Sequence, residues 1–156
     1  MIRESDIRIV GGGAAGAAAA LLLADQGRQV ALIDAQGLDA HWPGEQFDAR
    51  VVAISPGSTA ILKAVDAWPL QRAERVAAYQ SMQVCSASGR LEFRADHHGL
   101  DALGWIVEIP ALRETLWHQL ERHANAQILC PHRVENLEVR ARRVRLKLDD
   151  ATRLDT

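Results

Sequence analysis

The sequence contains few of the residues that build disulfide scaffolds or metal centres. Its 156 residues include two cysteines, Cys85 and Cys130, which lie far apart and form no C-x-x-C motif. The histidines lack metal-ligand spacing as well, since His118 and His123 would point to different faces of a predicted helix. We therefore expect no metal site and, from the scarcity of thiols, a reducing compartment such as the cytoplasm.

The sequence also has no large excess of charge and no long apolar run. Its formal net charge is -2 at pH 7, which gives no electrostatic reason to expect a nucleic acid partner. The alanine- and leucine-rich stretch near the N-terminus is interrupted by Asp25 and is too short to span a bilayer, and Glu4 and Asp6 do not suit a signal peptide. With 48% hydrophobic and 24% charged residues, the chain is expected to be a soluble globular unit.

The most informative stretch is a glycine-rich turn between two apolar segments. Residues 7–34 read IRIVGGGAAGAAAALLLADQGRQVALID, and G-x-G-x-x-G between a strand and a helix predicts a dinucleotide-binding βαβ unit. Gly11 would allow the tight turn, Gly13 would let the backbone approach a pyrophosphate, and Gly16 would let helix and strand pack closely. Glycines that serve packing alone are an alternative, but they do not explain the acid at the end of the second strand.

The helix start and the end of the second strand supply the other parts of this predicted site. Ala14 and Ala15 begin the helix, where unpaired backbone N–H groups and the helix dipole favour phosphates without a basic side chain. Asp34 follows the glycine turn by about 20 residues, the distance at which a carboxylate accepts hydrogen bonds from ribose hydroxyls. Because a carboxylate repels a 2′-phosphate, NADP is the least expected occupant.

The rest of the chain carries patterns of both strands and helices. A polar stretch that ends at Arg50 is longer than a simple connection needs. Periodicity and turn residues predict a strand at 51–54, a helix from Pro56 to about Ala67 capped by Ser55, a hairpin of 81–86 with 90–95, a strand at 104–109, a helix from about 110, a short buried strand at 127–130, and a final hairpin turning at 140–143. The basic residues around that last turn are expected to be a solvated face rather than a lipid-binding patch.

The predicted helix from residue 110 has one apolar side. Leu112, Leu116 and Leu120 recur at every fourth residue, which predicts a stripe against a core. Four charged neighbours are expected to face water: Arg113, Glu114, Glu121 and Arg122.

Longer motifs resemble a flavoprotein family. The glycine turn extends into G-x-G-x-x-G-x-x-x-A-x-x-x-x-x-x-G through Ala20 and Gly27, which resembles the FAD-binding motif of glutathione-reductase-type flavoproteins. The stretches FDARVVAISPGSTAILKAVDAW, YQSMQV and LGWIVEIPALRETL resemble the FAD-dependent aromatic-ring monooxygenases (p-hydroxybenzoate-hydroxylase-like), and within them the ubiquinone-biosynthesis hydroxylases. The resemblance implies an α/β fold, a glutathione-reductase-type Rossmann-like FAD-binding domain with a parallel sheet and added β-hairpins. Residues 1–156 would be its amino-terminal part, with a partial substrate-domain insertion around 70–108.

The resemblance also implies which residues contact the cofactor. At the FAD pyrophosphate the matching residues are Gly11, Gly13, Ala15 and Gly16. Elsewhere on FAD they are Asp34 at the adenosine ribose, Arg50 against the cofactor, and Val134, whose backbone would touch the adenine. Ile109 departs from the family, which often has a polar residue near the flavin at this position. No residue matches a catalytic role.

For an intact protein the resemblance implies FAD, with NAD(P)H as reductant and O2 as co-substrate, in the hydroxylation of an aromatic ring. The expected substrate is a polyprenylated phenol of ubiquinone biosynthesis, which would bring the enzyme to the surface of the inner membrane. The Asp-Gly and Gly-Asp motifs that follow in relatives are absent. We therefore expect a truncated amino-terminal portion that is inactive alone and exposes apolar surface open to self-association. An NAD-dependent dehydrogenase domain and a non-catalytic nucleotide-binding module stay open as alternatives.

Overall fold

The computed structural model describes residues 4–38, 47–140 and 143–155, and it has the predicted α/β composition. The chain order of the elements is β1 (Ile7–Val10), α1 (Ala14–Asp25), β2 (Val30–Ile33), β3 (Val51–Ile54), α2 (Pro56–Ala64), β4 (Val76–Tyr79), β5 (Ser81–Ser86), β6 (Gly89–Arg94), β7 (Gly104–Glu108), α3 (Ile109–Arg122), β8 (Ala126–Leu129), β9 (Val134–Arg140), β10 (Arg143–Leu148) and β11 (Arg153–Asp155). Short 3-10 helices lie at Ala73–Arg75 and Asp96–His98.

The parallel sheet that positions the glycine turn has the strand order β1-β2-β8. Its central strand, β2, is buried at all four residues, because β1 and β8 flank it and both of its faces are covered. Val30 and Leu32 pack against the helices, and Ala31 and Ile33 pack against the leucines of β10 and β11. The carboxyl ends of the three strands meet at one edge, where the backbone N–H of Gly11 donates to the carbonyl of Ile33 at 2.8 Å and the backbone N–H of Asp34 donates to that of Leu129 at 3.1 Å. Residues far apart in sequence are thereby brought to one edge, the usual place for ligands in open α/β sheets.

Helices α1 and α3 form the main core with this sheet. Small side chains on α1, among them Ala17, Ala20 and Ala24, are fully buried, so the helix lies close to its neighbours. The predicted leucine stripe of α3 is confirmed, because Leu112, Leu116 and Leu120 are no more than 4% exposed. The expectation that Arg113 and Glu114 face water is wrong, since both are largely buried in ion pairs with residues distant in sequence.

Helix α2 ends earlier than predicted, at Ala64 rather than near Ala67. Asp66 takes a left-handed conformation with φ 53°, which ends the helix. The N–H of Ala67 then donates to the carbonyl of Leu62 at 2.8 Å, and the N–H of Asp66 to that of Lys63 at 3.2 Å. This is a Schellman motif, usually built around glycine but open to aspartate. The predicted cap at the other end is confirmed, because Ser55 accepts a hydrogen bond from the N–H of Ser58.

The remaining strands form antiparallel sheets. Strand β7 lies between β3 and β4, and β5 pairs with β6 as predicted, shifted by one residue at β6. Strand β4 was not predicted, because its sequence VAAY has a weak pattern and pairing with β7 defines it. Strand β8 begins one residue before its prediction and is fully buried only at Leu129, as befits a strand at the edge of its sheet.

The final hairpin has the predicted pairing of β9 with β10, with Val139 opposite Val144 and Leu137 opposite Leu146. Its predicted turn includes residues 141–142, which lie outside the described residues, as do residues 39–46 of the polar stretch that ends at Arg50. Strand β11 adds a third, unpredicted member to this sheet by pairing with β10. No helix in the described ranges is long and apolar enough to cross a membrane.

One buried ion pair links β7 to the segment before β4. Arg75 Nη1 lies 3.1 Å from Glu108 Oε1, and the side chains are 11% and 3% exposed. Burial makes such a pair costly to break, because the remaining charge keeps its desolvation penalty while it loses its partner carboxylate.

We expect Glu108→Ala to lower the free energy of unfolding by about 3–5 kcal/mol, since Arg75 loses this carboxylate in a buried position. Urea denaturation followed by circular dichroism measures the change. Glu121→Ala, an exposed position on α3, is the matched control and should change stability by less than about 0.5 kcal/mol. A loss below about 1 kcal/mol for Glu108→Ala would show that the pair does not stabilise the fold.

Candidate dinucleotide-binding site

The glycine turn begins directly at the end of β1. Gly11 has φ +104°, a conformation that residues with a Cβ rarely adopt, so this position requires glycine. Gly13 is the N-cap of α1 and has extended backbone, and no side chain caps the helix. The first backbone N–H groups of α1 are therefore left for another acceptor, which is the arrangement that binds phosphates.

The glycines of this turn differ in the space around them. A Cβ at Gly16 would lie 2.0 Å from the carbonyl oxygen of Gly11, so the closeness of helix and turn excludes any side chain. A Cβ at Gly13 would meet nothing within 4 Å. Glycine at position 13 is thus not needed for packing within the described chain. Open space beside an uncapped helix start fits a pyrophosphate group.

Asp34 lies at the end of β2 and faces the turn. One carboxylate oxygen accepts a hydrogen bond from the N–H of Gly12, and the other accepts from the N–H of Gln36 at 2.8 Å and from Arg113 Nη2 at 3.0 Å. The side chain is 15% exposed. A carboxylate has about four acceptor positions, so three internal donors leave capacity for a ribose hydroxyl.

A surface cavity of about 420 Å³ joins three of the residues proposed for the site: Gly11, Asp34 and Val134. Its wall is completed by Val10, Ile33, Ala35, Gln36, His132 and Arg133. The volume falls in the range of about 300–1,000 Å³ that is usual for ligand pockets. Val134 begins β9 and reaches this cavity because His132 donates its backbone N–H to the carbonyl of Asp34 at 2.9 Å. That bond ties the segment before β9 to the end of β2.

Arg50 lies elsewhere, just before β3, and is not among the residues that line this cavity. Its guanidinium binds both oxygens of Asp48, with Nη2 2.6 Å from Oδ2, and the side chain is 60% exposed. The hydrogen bond from Arg50 lowers the pKa of the Asp48 carboxyl to about 2. The backbone carbonyl of Arg50 accepts from the N–H of Ile109 at 2.8 Å, so the two positions that the resemblance implies to be near FAD are adjacent.

Two residues of α3 belong to the site although their sequence pattern did not predict it. Arg113 donates to the carboxylate of Asp34 and to the carbonyl of Gly12, and Trp117 Nε1 donates to the same carbonyl at 2.8 Å. A Cβ at Gly12 would lie 2.6 Å from Cζ2 of Trp117. One feature of the sequence could have indicated this close contact: position 12 is a glycine, although the G-x-G-x-x-G motif does not require one there.

Cys130 lies beside this site and follows β8. Its thiol pKa is raised, first by burial and then by the nearby negative charge of Asp34. A raised pKa keeps the group protonated and unreactive at neutral pH. The Cys130 thiol is therefore poorly suited to act as a nucleophile.

One group of potential metal ligands lies at the border of the cavity. His132 Nδ1 is 3.8 Å from Asp149 and 3.7 Å from Asp150, and both carboxylates are 47% exposed. Hydrogen bonds from Thr152 lower the pKa of Asp150. Exposed acidic groups of this kind are common on protein surfaces, and we assign no ligand to them. The expectation that the chain has no metal site stays a prediction.

Comparisons with known proteins point to the same nucleotide-binding type of βαβ unit that the glycine turn and Asp34 form in the structure. Residues 9–41 match the family model of the NAD(P)-binding Rossmann-like domain. The chain is 32% identical over 143 residues to the 3-demethoxyubiquinol 3-hydroxylase of Escherichia coli (strain K12), covering 87% of this chain and 37% of that protein. It is 36% identical over 98 residues to the mitochondrial ubiquinone biosynthesis monooxygenase COQ6 of Xenopus tropicalis, covering 62% of this chain and 21% of that protein. The chain thus spans well under half of the length of either relative.

Solved structures show the same fold. The p-nitrophenol 4-monooxygenase PnpA of Pseudomonas putida DLL-E4 superposes with a TM-score of 0.74 at 18% identity, over 99% of this chain and 39% of that one. PqsL of Pseudomonas aeruginosa, a probable FAD-dependent monooxygenase, superposes with a TM-score of 0.69 at 20% identity, over 97% and 40%. The chain is therefore homologous to ubiquinone-biosynthesis hydroxylases and has the fold of FAD-dependent monooxygenases, and its partial coverage of these proteins fits an amino-terminal portion.

Proposed function

We propose that this chain binds the ADP half of FAD and forms the amino-terminal part of an enzyme that hydroxylates an aromatic ring. The observation that carries the proposal is the cavity that joins Gly11 with Asp34 and Val134. An adenosine in this cavity would place its ribose at the carboxylate and its adenine at the backbone of Val134. Its phosphates would then reach the start of α1.

The pyrophosphate would be held by backbone groups. Gly11, Gly13 and Ala15 are exposed at the turn, and the absence of a side chain at Gly13 leaves room for close approach. The N–H groups of the first helical turn and the positive end of the helix dipole would stabilise the two negative charges. Gly16 contributes indirectly, because it allows α1 to start this close to β1.

The ribose end favours a dinucleotide without a 2′-phosphate. Asp34 is negatively charged and would repel such a group. Arg113, the cation beside it, donates four hydrogen bonds to Asp34 Oδ1 and to the carbonyls of Gly12, Gln36 and Gly37. Its donors are committed to the protein, so Arg113 is poorly placed to bind a 2′-phosphate. This arrangement supports FAD over NADP as the resident group.

Bound FAD would supply the redox chemistry, taking electrons from NAD(P)H and activating O2 to transfer one oxygen atom to the ring. The residues of this chain would bind and orient the cofactor, with Arg50 against it, and none is assigned as a catalytic acid or base. The names of the two relatives, a demethoxyubiquinol hydroxylase and a ubiquinone biosynthesis monooxygenase, support a polyprenylated phenol or quinol as substrate. Such a lipid would bring a cytoplasmic enzyme to the inner membrane surface.

The β5–β6 hairpin has an exposed apolar face that supports contact with a second copy of the chain. Met82 and Val84 on β5 lie opposite Phe93 and Leu91 on β6, and all four side chains are exposed. A contiguous cluster of exposed apolar side chains is a feature of interaction surfaces. We include self-association through this face, and the assignment of residues around 70–108 to a substrate domain, in the proposal.

An NAD-dependent dehydrogenase domain is the second candidate, because the matching family model describes an NAD(P)-binding domain. Its nucleotide would use the same cradle, since FAD and NAD share the ADP unit. The two candidates therefore differ in what binds beyond the pyrophosphate.

Nucleotide titration of the 156-residue chain by calorimetry tests the proposed function. We expect ADP to bind, FAD to bind weakly and no more tightly than ADP, and FMN not to bind, because the assigned contacts lie mainly on the ADP half and the ribityl-binding motif of relatives is absent from this sequence. Binding of FMN as tight as that of FAD would overturn the location of the site. Binding of NAD without FAD would favour the dehydrogenase.

Gly13→Val separates binding from folding at the turn. The variant should keep the stability of the wild type within about 1 kcal/mol, because a Cβ at this position would meet nothing within 4 Å. It should nonetheless lose FAD and ADP binding, since the added methyl groups occupy the space of the pyrophosphate. Gly16→Ala is the matched control and should destabilise the fold by about 3 kcal/mol or more through its clash with a backbone carbonyl. Unchanged nucleotide affinity in Gly13→Val would contradict the site.

A further inference from the structure

Helix α3 holds the glycine turn from the side opposite to the proposed phosphates. Arg113 Nε and Trp117 Nε1 both donate to the carbonyl oxygen of Gly12, at 2.9 Å and 2.8 Å. The two side chains are one helical turn apart, and the guanidinium carbon of Arg113 lies 4.7 Å from the centre of the Trp117 ring. The ring orients the guanidinium, and the pair acts as one unit.

The same guanidinium connects the turn to the ribose end of the site. Arg113 Nη2 donates to Asp34 Oδ1 at 3.0 Å and to the carbonyl of Gln36 at 2.6 Å, and Nη1 donates to that of Gly37 at 3.1 Å. The side chain is 19% exposed. Four of the five N–H donors of an arginine are therefore used, on two segments of chain that meet at the carboxyl end of the sheet, the turn at Gly12 and residues 34–37.

These contacts matter because the turn has three successive glycines, Gly11 to Gly13. Glycine has the largest backbone freedom to lose, so such a turn is costly to order when a ligand arrives. Fixing the Gly12 carbonyl fixes the peptide planes on both sides of it. Fixing Asp34 from the same guanidinium sets the distance between the phosphate-binding and ribose-binding groups.

We propose that Arg113 and Trp117 are positioning residues that hold the glycine turn and Asp34 in their nucleotide-binding arrangement before the nucleotide binds. This inference rests on the proposed ADP site. Neither residue touches the nucleotide in the proposal, and both act through Gly12 and Asp34. The leucine stripe already attaches α3 to the core, so the two polar contacts are not needed to dock the helix.

Arg113→Lys is the main test, because lysine keeps the charge but cannot bridge four acceptors. We expect its affinity for ADP, measured by calorimetry, to fall about tenfold, the effect of losing one charged hydrogen bond. We expect amide hydrogen exchange in residues 8–20 of the nucleotide-free chain to accelerate about tenfold, while exchange in the β5–β6 hairpin stays unchanged. Arg122→Lys, an exposed position on the same helix, is the control and should alter neither property.

Trp117→Phe provides a second variant that removes the indole N–H and keeps an aromatic ring. It should weaken ADP binding and loosen residues 8–20 in the same way, and Trp105→Phe is its control. ADP affinity of Arg113→Lys within twofold of the wild type would overturn the inference. So would acceleration spread evenly over all segments, since that indicates a general loss of stability. Failure of the wild-type chain to bind ADP overturns the proposed function itself and is recognised before any variant is compared.

Discussion

The close approach of α1 to the end of β1 is the constraint on which the rest of the site depends. It requires that no side chain be present at Gly16, where a Cβ would lie 2.0 Å from the Gly11 carbonyl. With the helix start in this place, its free N–H groups face outward beside Gly13. The carbonyl of Gly12 faces the other way, toward α3. The turn therefore has an open side for a ligand and a closed side that the protein itself holds.

Two largely buried arginines form ion pairs with different roles: one stabilises the fold, and the other orients a carboxylate of the candidate site. Arg75 and Glu108 are buried together and link β7 to the chain before β4, an arrangement that serves the fold. Asp34 lines a cavity, and both it and its partner Arg113 also form hydrogen bonds with backbone groups. The second pair leaves the carboxylate oriented, charged and partly accessible, which suits the recognition of ribose hydroxyls.

Much of the fold was predictable because its signals are local. The strand, glycine turn and helix, the Ser55 cap, the leucine stripe of α3 and the pairing of the last hairpin each depend on neighbours in sequence, and the structure confirms them. The end of α2 and the presence of β4 were not predicted correctly, and both depend on features other than sequence periodicity. Helix α2 stops at a left-handed Asp66, and β4 exists through pairing with β7. Neither event is encoded in the periodicity of the segment itself.

The sequence by itself determined the βαβ unit, its glycine turn and the acid that follows, because these lie within one continuous stretch with fixed spacing. Tertiary structure alone decided that Arg113 and Trp117 close the back of the turn and that Val134 shares a cavity with Asp34. Arg113 has the pattern of a solvent-facing helix residue. It is turned inward by carbonyl groups about 75 to 100 positions away, and a contact at that separation depends on how helices pack on the sheet.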